Sequence, residues 1–160
     1  MSLVINKENK KIKNATPSNF AGVALKSQTE KLIWKTLKEL NIEALYEPEK
    51  IVLIEGFKPT KLFYTKKRIK TLVNNKIKKH WELRDNNDKI INITYTPDFV
   101  FKLNGYKVYL EVKGFENDTY PIKKKLFRRW METQDYPIVY AEIYTKKELL
   151  KLIEKINAKL

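Results

Sequence analysis

The stretch from Thr96 to Lys113 has the sequence Thr-Pro-Asp-Phe-Val-Phe-Lys-Leu-Asn-Gly-Tyr-Lys-Val-Tyr-Leu-Glu-Val-Lys. At its centre lies Asn104-Gly105, a residue pair that tolerates the positive φ angles of a two-residue type I′ turn. The hydrophobic and aromatic residues on both sides are typical of β-strands. The stretch therefore predicts a β-hairpin whose turn sets the register. That register places Leu103 opposite Tyr106, Phe101 opposite Val108, Phe99 opposite Leu110 and Asp98 opposite Glu111.

Two acids face each other in this register. Asp98 and Glu111 would have Cβ atoms about 5 Å apart, and like charges in such a pair destabilise a sheet. Lys113 follows Glu111 by two residues and therefore lies on the same face. The lysine would offset part of the repulsion, and a divalent cation such as Mg²⁺ or Mn²⁺ would offset more, because it binds carboxylate oxygens. The pattern predicts a cation site, and an incidental cluster on a surface hairpin is the alternative.

The composition of the chain excludes several kinds of site. It has 160 residues, no cysteine and one histidine, His80. Disulfides, thiolate zinc sites, cysteine nucleophiles and histidine-rich metal centres are therefore excluded. No apolar run approaches the roughly 20 residues of a membrane span, and the N-terminus lacks the apolar segment of a signal peptide. These features predict a cytoplasmic protein without a membrane partner.

The charge of the chain indicates a polyanionic partner. The formal net charge is +14, which favours nucleic acid first and an anionic membrane surface second. A soluble basic protein without such a partner is the alternative. The cations are concentrated in particular segments, and this clustering favours a binding surface.

The chain is predicted to comprise a flexible basic arm over residues 1–26 and a single domain over residues 27–160. Ser27 begins a predicted helix that runs to about Leu40. Ser27 and Glu30 have the spacing of a capping box, in which each side chain bonds a free backbone N–H of the first turn. Glu30 therefore has a complete structural explanation, and a role at the cation site stays open beside it.

Strands are predicted over residues 51–57 and 136–144, and the hairpin contributes an apolar face to the core: Phe99, Phe101, Val108, Leu110 and Val112. Residues 81–95 are predicted to be extended. A helix is predicted to begin at Thr119-Tyr-Pro121 with an apolar face of Ile122, Leu126, Phe127, Trp130 and Met131, and a closing helix covers residues 146–160.

Two segments hold the cations expected to contact phosphates. Residues 58–80 are predicted to form a basic helix, because apolar residues at 69, 72, 73 and 77 have helical spacing. The helix after Thr119 has a basic face of its own. A lysine face that only meets solvent is the alternative in each case. The candidate nucleic-acid contacts are Lys66, Lys67, Arg68, Lys70, Lys123, Lys124, Lys125, Arg128 and Arg129.

The order helix, strand, hairpin, helix, strand, with Pro97-Asp98 followed by Glu111-Val-Lys113, resembles the PD-(D/E)xK nuclease superfamily. The resemblance is closest to a phage-encoded branch similar to the junction-resolving endonuclease I enzymes. It implies an α/β fold with a restriction-endonuclease-like αβββαβ core, a mixed central sheet flanked by helices. The segments that carry it, about half of the chain, are Glu55-Gly-Phe57, Ile93-Thr-Tyr-Thr-Pro-Asp-Phe99, Glu111-Val-Lys-Gly-Phe115 and Ile122-Lys-Lys-Lys-Leu-Phe127.

The resemblance also implies roles for the hairpin residues. Asp98 and Glu111 would bind one or two Mg²⁺ ions, for which Mn²⁺ could substitute, and the carbonyl of Val112 would be a further ligand. Lys113 would orient or help to deprotonate the attacking water and would stabilise the charge that develops on the phosphate. Glu30 would complete the side of a second metal.

The implied function is a Mg²⁺-dependent DNA endonuclease that acts on branched DNA, as a Holliday junction resolvase does. Such an enzyme is expected to be a homodimer, because its substrate has two-fold symmetry, and to work in the cytoplasm of a bacterium or a phage-infected cell. The alternatives are a sequence-specific or transposition-type endonuclease, and a non-catalytic DNA-binding protein with a nuclease fold. The presence of Asp98, Glu111 and Lys113 together argues against the last.

Overall fold

The computed structural model describes residues 16–73, 76–113 and 119–158. These residues form two compact units. One contains the chain up to Ile51 together with the chain from Tyr95 onward, and the other is Val52–Thr94. No helix in the described residues is long and apolar enough to cross a membrane. The prediction that residues 27–160 act as a single domain stays a prediction.

The hairpin predicted from Asn104-Gly105 is confirmed. Strand β8 (Phe99–Leu103) pairs with strand β9 (Tyr106–Val112) in antiparallel orientation, and Leu103 lies opposite Tyr106 as predicted. Asn104 and Gly105 have φ values of 49° and 78°, the left-handed conformation that these residue types accept at low cost. Because the turn sets the register, the pairs further along the hairpin follow as predicted, up to Phe99 opposite Leu110.

The hairpin is the middle of a four-stranded sheet with the strand order β10-β9-β8-β3. Strand β3 (Leu45–Tyr46) runs antiparallel to β8, and strand β10 (Ile138–Ile143) runs parallel to β9. The predicted strand at residues 136–144 is therefore confirmed, and β3 is an additional strand that was not predicted. The described part of the chain contains three helices beside this mixed sheet, so the α/β fold class is confirmed.

Helices α1 (Gln28–Glu39) and α3 (Lys146–Asn157) supply apolar residues to the same core as one face of the sheet. Both begin at a hydroxyl N-cap, Ser27 in α1 and Thr145 in α3, whose side chain accepts a hydrogen bond from the third helical residue. The five hairpin residues predicted to be in the core are all buried there. They lie with Leu25, Ile33, Trp34, Leu37, Ile42, Ile143, Leu149, Ile153 and Ile156.

Helix α2 (Tyr120–Met131) packs against aromatic residues of the other face of the sheet. Phe127 is fully buried and its ring contacts those of Tyr95, Tyr109 and Tyr140 at 4.6–5.3 Å between centroids. The prediction that Ile122 belongs to the apolar face is wrong, because its side chain is 63% exposed. Ile122 lies two residues from the buried Tyr120, which places it on the far side of a helix with 3.6 residues per turn.

The predicted flexible arm has structure in the part that is described. Residues 1–15 lie outside the described residues. Strands β1 (Ser18–Phe20) and β2 (Val23–Leu25) form a hairpin. Leu25 is buried in the core and the Phe20 ring lies 5.6 Å from Trp34. These two apolar side chains therefore contribute to the packing of the hairpin against the core and α1, and secondary structure begins before Ser27.

The helix predicted for residues 58–80 is wrong, because the described residues of this range, 58–73 and 76–80, contain strands and no helix. Strands β5 (Tyr64–Val73) and β6 (Lys76–Asp85) pair antiparallel over ten residue pairs. Strands β4 (Ile51–Ile54) and β7 (Ile93–Tyr95) pair separately, so the strand predicted over residues 51–57 is shorter than expected. β-Branched residues recur through β5, at Thr65, Ile69, Thr71 and Val73, and favour a strand over a helix.

Candidate active site

Asp98 lies directly before β8 and is only 9% exposed. Its Oδ2 accepts a hydrogen bond of 2.7 Å from the backbone N–H of Val112 at the end of β9. Burial raises the pKa of Asp98 well above its ordinary value, and the nearby charges of Glu111 and Glu30 raise it further. The hydrogen bond from Val112 opposes this shift. In the absence of a cation, the charged form of Asp98 is therefore disfavoured.

Glu111 has a hydrogen-bond donor at each carboxylate oxygen. Tyr95 donates its hydroxyl to Oε2 at 2.5 Å, and the Lys113 ammonium donates to Oε1 at 2.9 Å. Burial raises the pKa of Glu111, while Lys113 and Tyr95 act in the opposite direction. Burial also raises the pKa of Tyr95, so this phenol stays protonated and remains a donor. The Glu111 carboxylate is thus held in one orientation.

Lys113 is a buried cation, with 6% of its surface exposed. Its Nζ bonds Glu111 and lies 2.7 Å from the centroid of the Tyr120 ring. A carboxylate and an aromatic ring both stabilise a desolvated ammonium, and Lys113 has one of each. The structure therefore places Asp98, Glu111, Val112 and Lys113 in one cluster at the end of the hairpin.

Glu30 is also buried, at 5% exposure, and its carboxylate accepts three hydrogen bonds. They come from the Ser27 hydroxyl at 3.0 Å, the Lys26 backbone N–H at 2.9 Å and the Tyr46 hydroxyl at 2.8 Å. The predicted capping box is present in a modified form, because the backbone donor belongs to Lys26 and not to the N-cap residue. Glu30 also raises the pKa of Asp98 through its charge. Glu30 therefore lies near Asp98 and also caps the start of α1.

Lys26 and Glu47 are additional charged residues near Asp98 that the sequence did not single out. Their side chains form a salt bridge, and the Glu47 backbone N–H donates to the Asp98 carbonyl at 2.9 Å. The Lys26 charge lowers the pKa of Asp98. These residues lie far from Asp98 in sequence, so no local pattern could have indicated the contact.

Glu142 is a further acid that the sequence did not single out. The parallel pairing of β10 with β9 puts Glu142 directly beside Glu111. Its carboxylate accepts hydrogen bonds from the Tyr120 hydroxyl and the Lys124 ammonium. Burial alone would raise the pKa of Glu142, but these bonds hold it below its ordinary value. One signal was available in the sequence, namely a single acid inside the apolar run of β10.

The predicted nucleic-acid contacts fall in both units. In α2, Lys124 pairs with Glu142, and Arg128 lines a shallow cavity of about 300 Å³ beside that acid. Lys125, Arg128 and Arg129 are exposed and Lys123 is half-buried. In β5, Lys66, Arg68 and Lys70 are exposed, whereas Lys67 pairs with Asp88 at 3.0 Å.

No family model, curated protein or solved structure matches this chain. The function therefore has to be argued from the site itself. Its main feature is a pair of acids, Asp98 buried and Glu111 half-buried, whose pKa values are both raised, next to the buried Lys113.

The acid pair fits a hard divalent cation by its chemistry. Carboxylate oxygens are the ligands that Mg²⁺ and Mn²⁺ prefer, and a bound cation would relieve the repulsion and desolvation that raise the pKa values of Asp98 and Glu111. Across residues 16–73, 76–113 and 119–158, no three Asp, Glu or His side chains form a preformed metal cluster. Val112 contributes its backbone N–H to Asp98, and the ligand role of its carbonyl stays a prediction.

We expect Glu30→Gln to lower the stability of the protein. The Gln carbonyl oxygen can still accept from the Lys26 N–H and the Tyr46 hydroxyl while its amide faces the Ser27 hydroxyl. The bonds then lose their charge-assisted character, so about 1 kcal/mol should be lost. For a chain of this size that corresponds to a fall in Tm of about 2–4 °C. Glu39→Gln, a change at an exposed acid of the same helix, is the matched control.

Cleavage assays on the same two variants test whether Glu30 also acts at the cation site. They should be run well below Tm, where both variants are folded. A drop in turnover confined to Glu30→Gln would assign it to the cation site as well. If Tm and turnover both equal those of Glu39→Gln, the hydrogen bonds described for Glu30 contribute nothing measurable.

Proposed function

We propose that this chain is a metal-dependent DNA endonuclease that hydrolyses phosphodiester bonds. The observation that carries the proposal is the cluster of Asp98, Glu111 and Lys113 at one end of the hairpin, in which Asp98 and Lys113 are buried and Glu111 is half-buried. Burying two repelling acids costs stability, and folds generally keep such arrangements where function requires them. The order of α1, the hairpin, α2 and β10 supports the finer proposal of a restriction-endonuclease-like core.

The hairpin acids would hold the cation in this mechanism. Asp98 is oriented by the Val112 N–H and Glu111 by Tyr95, so both present oxygens from fixed positions. When bound, a divalent cation would supply Lewis acidity to the phosphodiester and to the attacking water. Because metal ligands must be deprotonated, the raised pKa values imply that cation affinity increases with pH through the range in which these acids titrate.

Lys113 would act on the phosphate. Hydrolysis forms a bond from the water oxygen to phosphorus while the bond to the leaving oxygen breaks, and negative charge develops on the phosphoryl oxygens. The Lys113 ammonium is held by Glu111 and the Tyr120 ring. A cation fixed in advance stabilises that charge without reorganisation during the reaction.

The test is cleavage of supercoiled plasmid, linear duplex and a synthetic four-way junction, each with Mg²⁺, Mn²⁺ or EDTA. We expect cation-dependent cutting, with the junction cut fastest. Faster cutting of a plasmid at defined positions would favour the sequence-specific or transposition-type alternative. Binding without cutting in either cation would show that the chain is a non-catalytic DNA-binding protein, and the endonuclease proposal would be rejected.

We expect the protein to be a homodimer that binds a four-way junction more tightly than a linear duplex of equal length. Each chain has one proposed active site, formed by Asp98, Glu111 and Lys113, so two cuts in one encounter need two chains. A substrate with two-fold symmetry also matches a protein with two-fold symmetry. Leu32 in α1, Leu40 at the C-cap of α1 and Leu150 in α3 are large exposed apolar residues available for such a contact.

Light scattering on the free protein and competition binding between the two DNAs measure these properties. Leu32→Glu should weaken the dimer if α1 supplies the contact, and Lys35→Glu, a change at an exposed residue of the same helix, is the control. A monomer at micromolar concentration without junction preference would remove the resolvase assignment and leave the proposed chemistry intact.

A further inference from the structure

Strands β5 and β6 form a two-stranded ribbon that is strongly basic. Together they contain eight lysines and arginines and only two acids. Their ten residue pairs are all in regular antiparallel register. Because side chains alternate between the two faces of a strand, this register assigns each residue to one face of the ribbon.

One face combines cations with large apolar groups. This surface, which we name the Trp81 face, consists of Tyr64, Lys66, Arg68, Lys70, Leu72, Ile77, Lys79, Trp81 and Leu83, with Asp85 at one end. Ile77, Trp81 and Leu83 are each 65% exposed. Exposed apolar side chains of this size, grouped on one surface, generally mark an interaction site.

Two cations of the ribbon have acid partners, and both lie on the opposite face. Lys67 pairs with Asp88 at 3.0 Å and Arg84 pairs with Glu82 at 3.1 Å, whereas Lys76 and Lys78 of that face have no ion pair within the part of the chain that the structure describes. On the Trp81 face, no ion pair of Lys66, Arg68, Lys70 or Lys79 is found among the described residues. Lys70 and Lys79 are also directly opposite each other, and this placement of like charges is unfavourable unless an anion lies between them.

We propose that the Trp81 face docks into the major groove of duplex DNA. The major groove is about 12 Å wide and admits a two-stranded β-ribbon. Ten residues of strand extend over roughly 33 Å, which is about one turn of the duplex. Lysine and arginine would bind phosphates on the groove edges, and Trp81 with its apolar neighbours would contact base edges. The positive charge of this face also disfavours pairing with a second copy of itself.

The Trp81 face would bind the DNA that the proposed function cleaves. Only the choice of DNA as the ligand rests on that proposed function. The experiment measures binding alone. Affinity for a labelled 20-base-pair duplex is followed by fluorescence anisotropy in EDTA over a series of salt concentrations. Arg68→Gln with Lys70→Gln removes two cations from the Trp81 face, and Lys76→Gln with Lys78→Gln removes two from the opposite face of the same ribbon.

We expect the Arg68/Lys70 variant to lose at least about tenfold in affinity, and its slope of log affinity against log salt to fall by about two. The Lys76/Lys78 variant should lose much less, since its cations point away from the groove. DNA should quench tryptophan fluorescence in the wild type and not in Trp81→Phe. Circular dichroism and Tm show whether each variant is folded, and glutamine preserves most of the side-chain stem.

Three results would overturn the inference. Equal losses in the two double variants would show that the ribbon acts only through diffuse charge. Single-stranded DNA bound as tightly as the duplex would exclude groove docking, and efficient competition by anionic lipid vesicles would indicate a membrane surface. None of these results depends on cleavage. A protein that binds through the Trp81 face without cutting contradicts only the proposed activity.

Discussion

Asp98→Asn is expected to reduce cleavage in Mg²⁺ to the background level while DNA binding stays within about threefold of the wild type. The substitution keeps an acceptor for the Val112 N–H but removes a charge that the cation needs. Glu111→Gln should have the same effect on cleavage. Asp135→Asn, which changes an exposed acid of the same unit, is the control. An Asp98→Asn protein that cuts normally would refute the proposed site.

The same variant is expected to be more stable than the wild type at neutral pH in EDTA. The folded-state pKa of Asp98 is raised, so between the unfolded and folded pKa values the folded protein binds more protons. Stability then falls as pH rises through that range, and Asn avoids this loss. Each 1 kcal/mol gained would raise Tm by about 2–4 °C. Thermal unfolding at pH 4 and pH 8 should show a gain at the higher pH that shrinks at the lower one.

Lys113→Ala is expected to lower turnover on bound DNA by about 10²-fold or more, with DNA affinity almost unchanged. Its charge matters most in the transition state, and losing one preorganised electrostatic contact there typically has an effect of this size. The variant also removes a charge that lowers the pKa of Glu111, so cation affinity should fall. Single-turnover rates must therefore be measured at saturating Mg²⁺.

Lys155→Ala, a change at an exposed lysine of α3 that has no proposed contact with DNA, is the control for this prediction. It should change turnover little. If Lys113→Ala instead loses DNA affinity and keeps its rate on bound DNA, Lys113 is a phosphate contact without a role in the chemistry.

The sequence by itself determined the elements that depend on local chemistry. Asn104-Gly105 set the hairpin and its register, because only a few residue types accept two successive left-handed conformations. Ser27 set the start of α1 through its side-chain hydrogen bond, and Pro121 fits the first turn of α2. The same local register brought Asp98, directly before β8, to the end of β9, where it accepts from the Val112 N–H and where Lys113 bonds Glu111. The register extends to Phe99 opposite Leu110, so the direct pairing of Asp98 with Glu111 stays a prediction.

Residues 58–80 show where local pattern was insufficient. Apolar residues at positions 69, 72, 73 and 77 satisfy helical spacing, yet the segment pairs as β5 and β6. Each strand of the ribbon obtains its backbone hydrogen bonds from the other, and periodicity along one strand does not contain that information.

Only the tertiary structure decided which distant residues surround the acid pair. Glu142 lies beside Glu111 because β10 pairs with β9 in parallel, although α2 lies between these two strands in the sequence. Lys26 and Glu47 reach Asp98 because the hairpin of β1 and β2 packs on α1 and β3 pairs with β8. These charges control how strongly the buried acids are destabilised. Their positions follow from burial of the shared core, which no short stretch of sequence specifies.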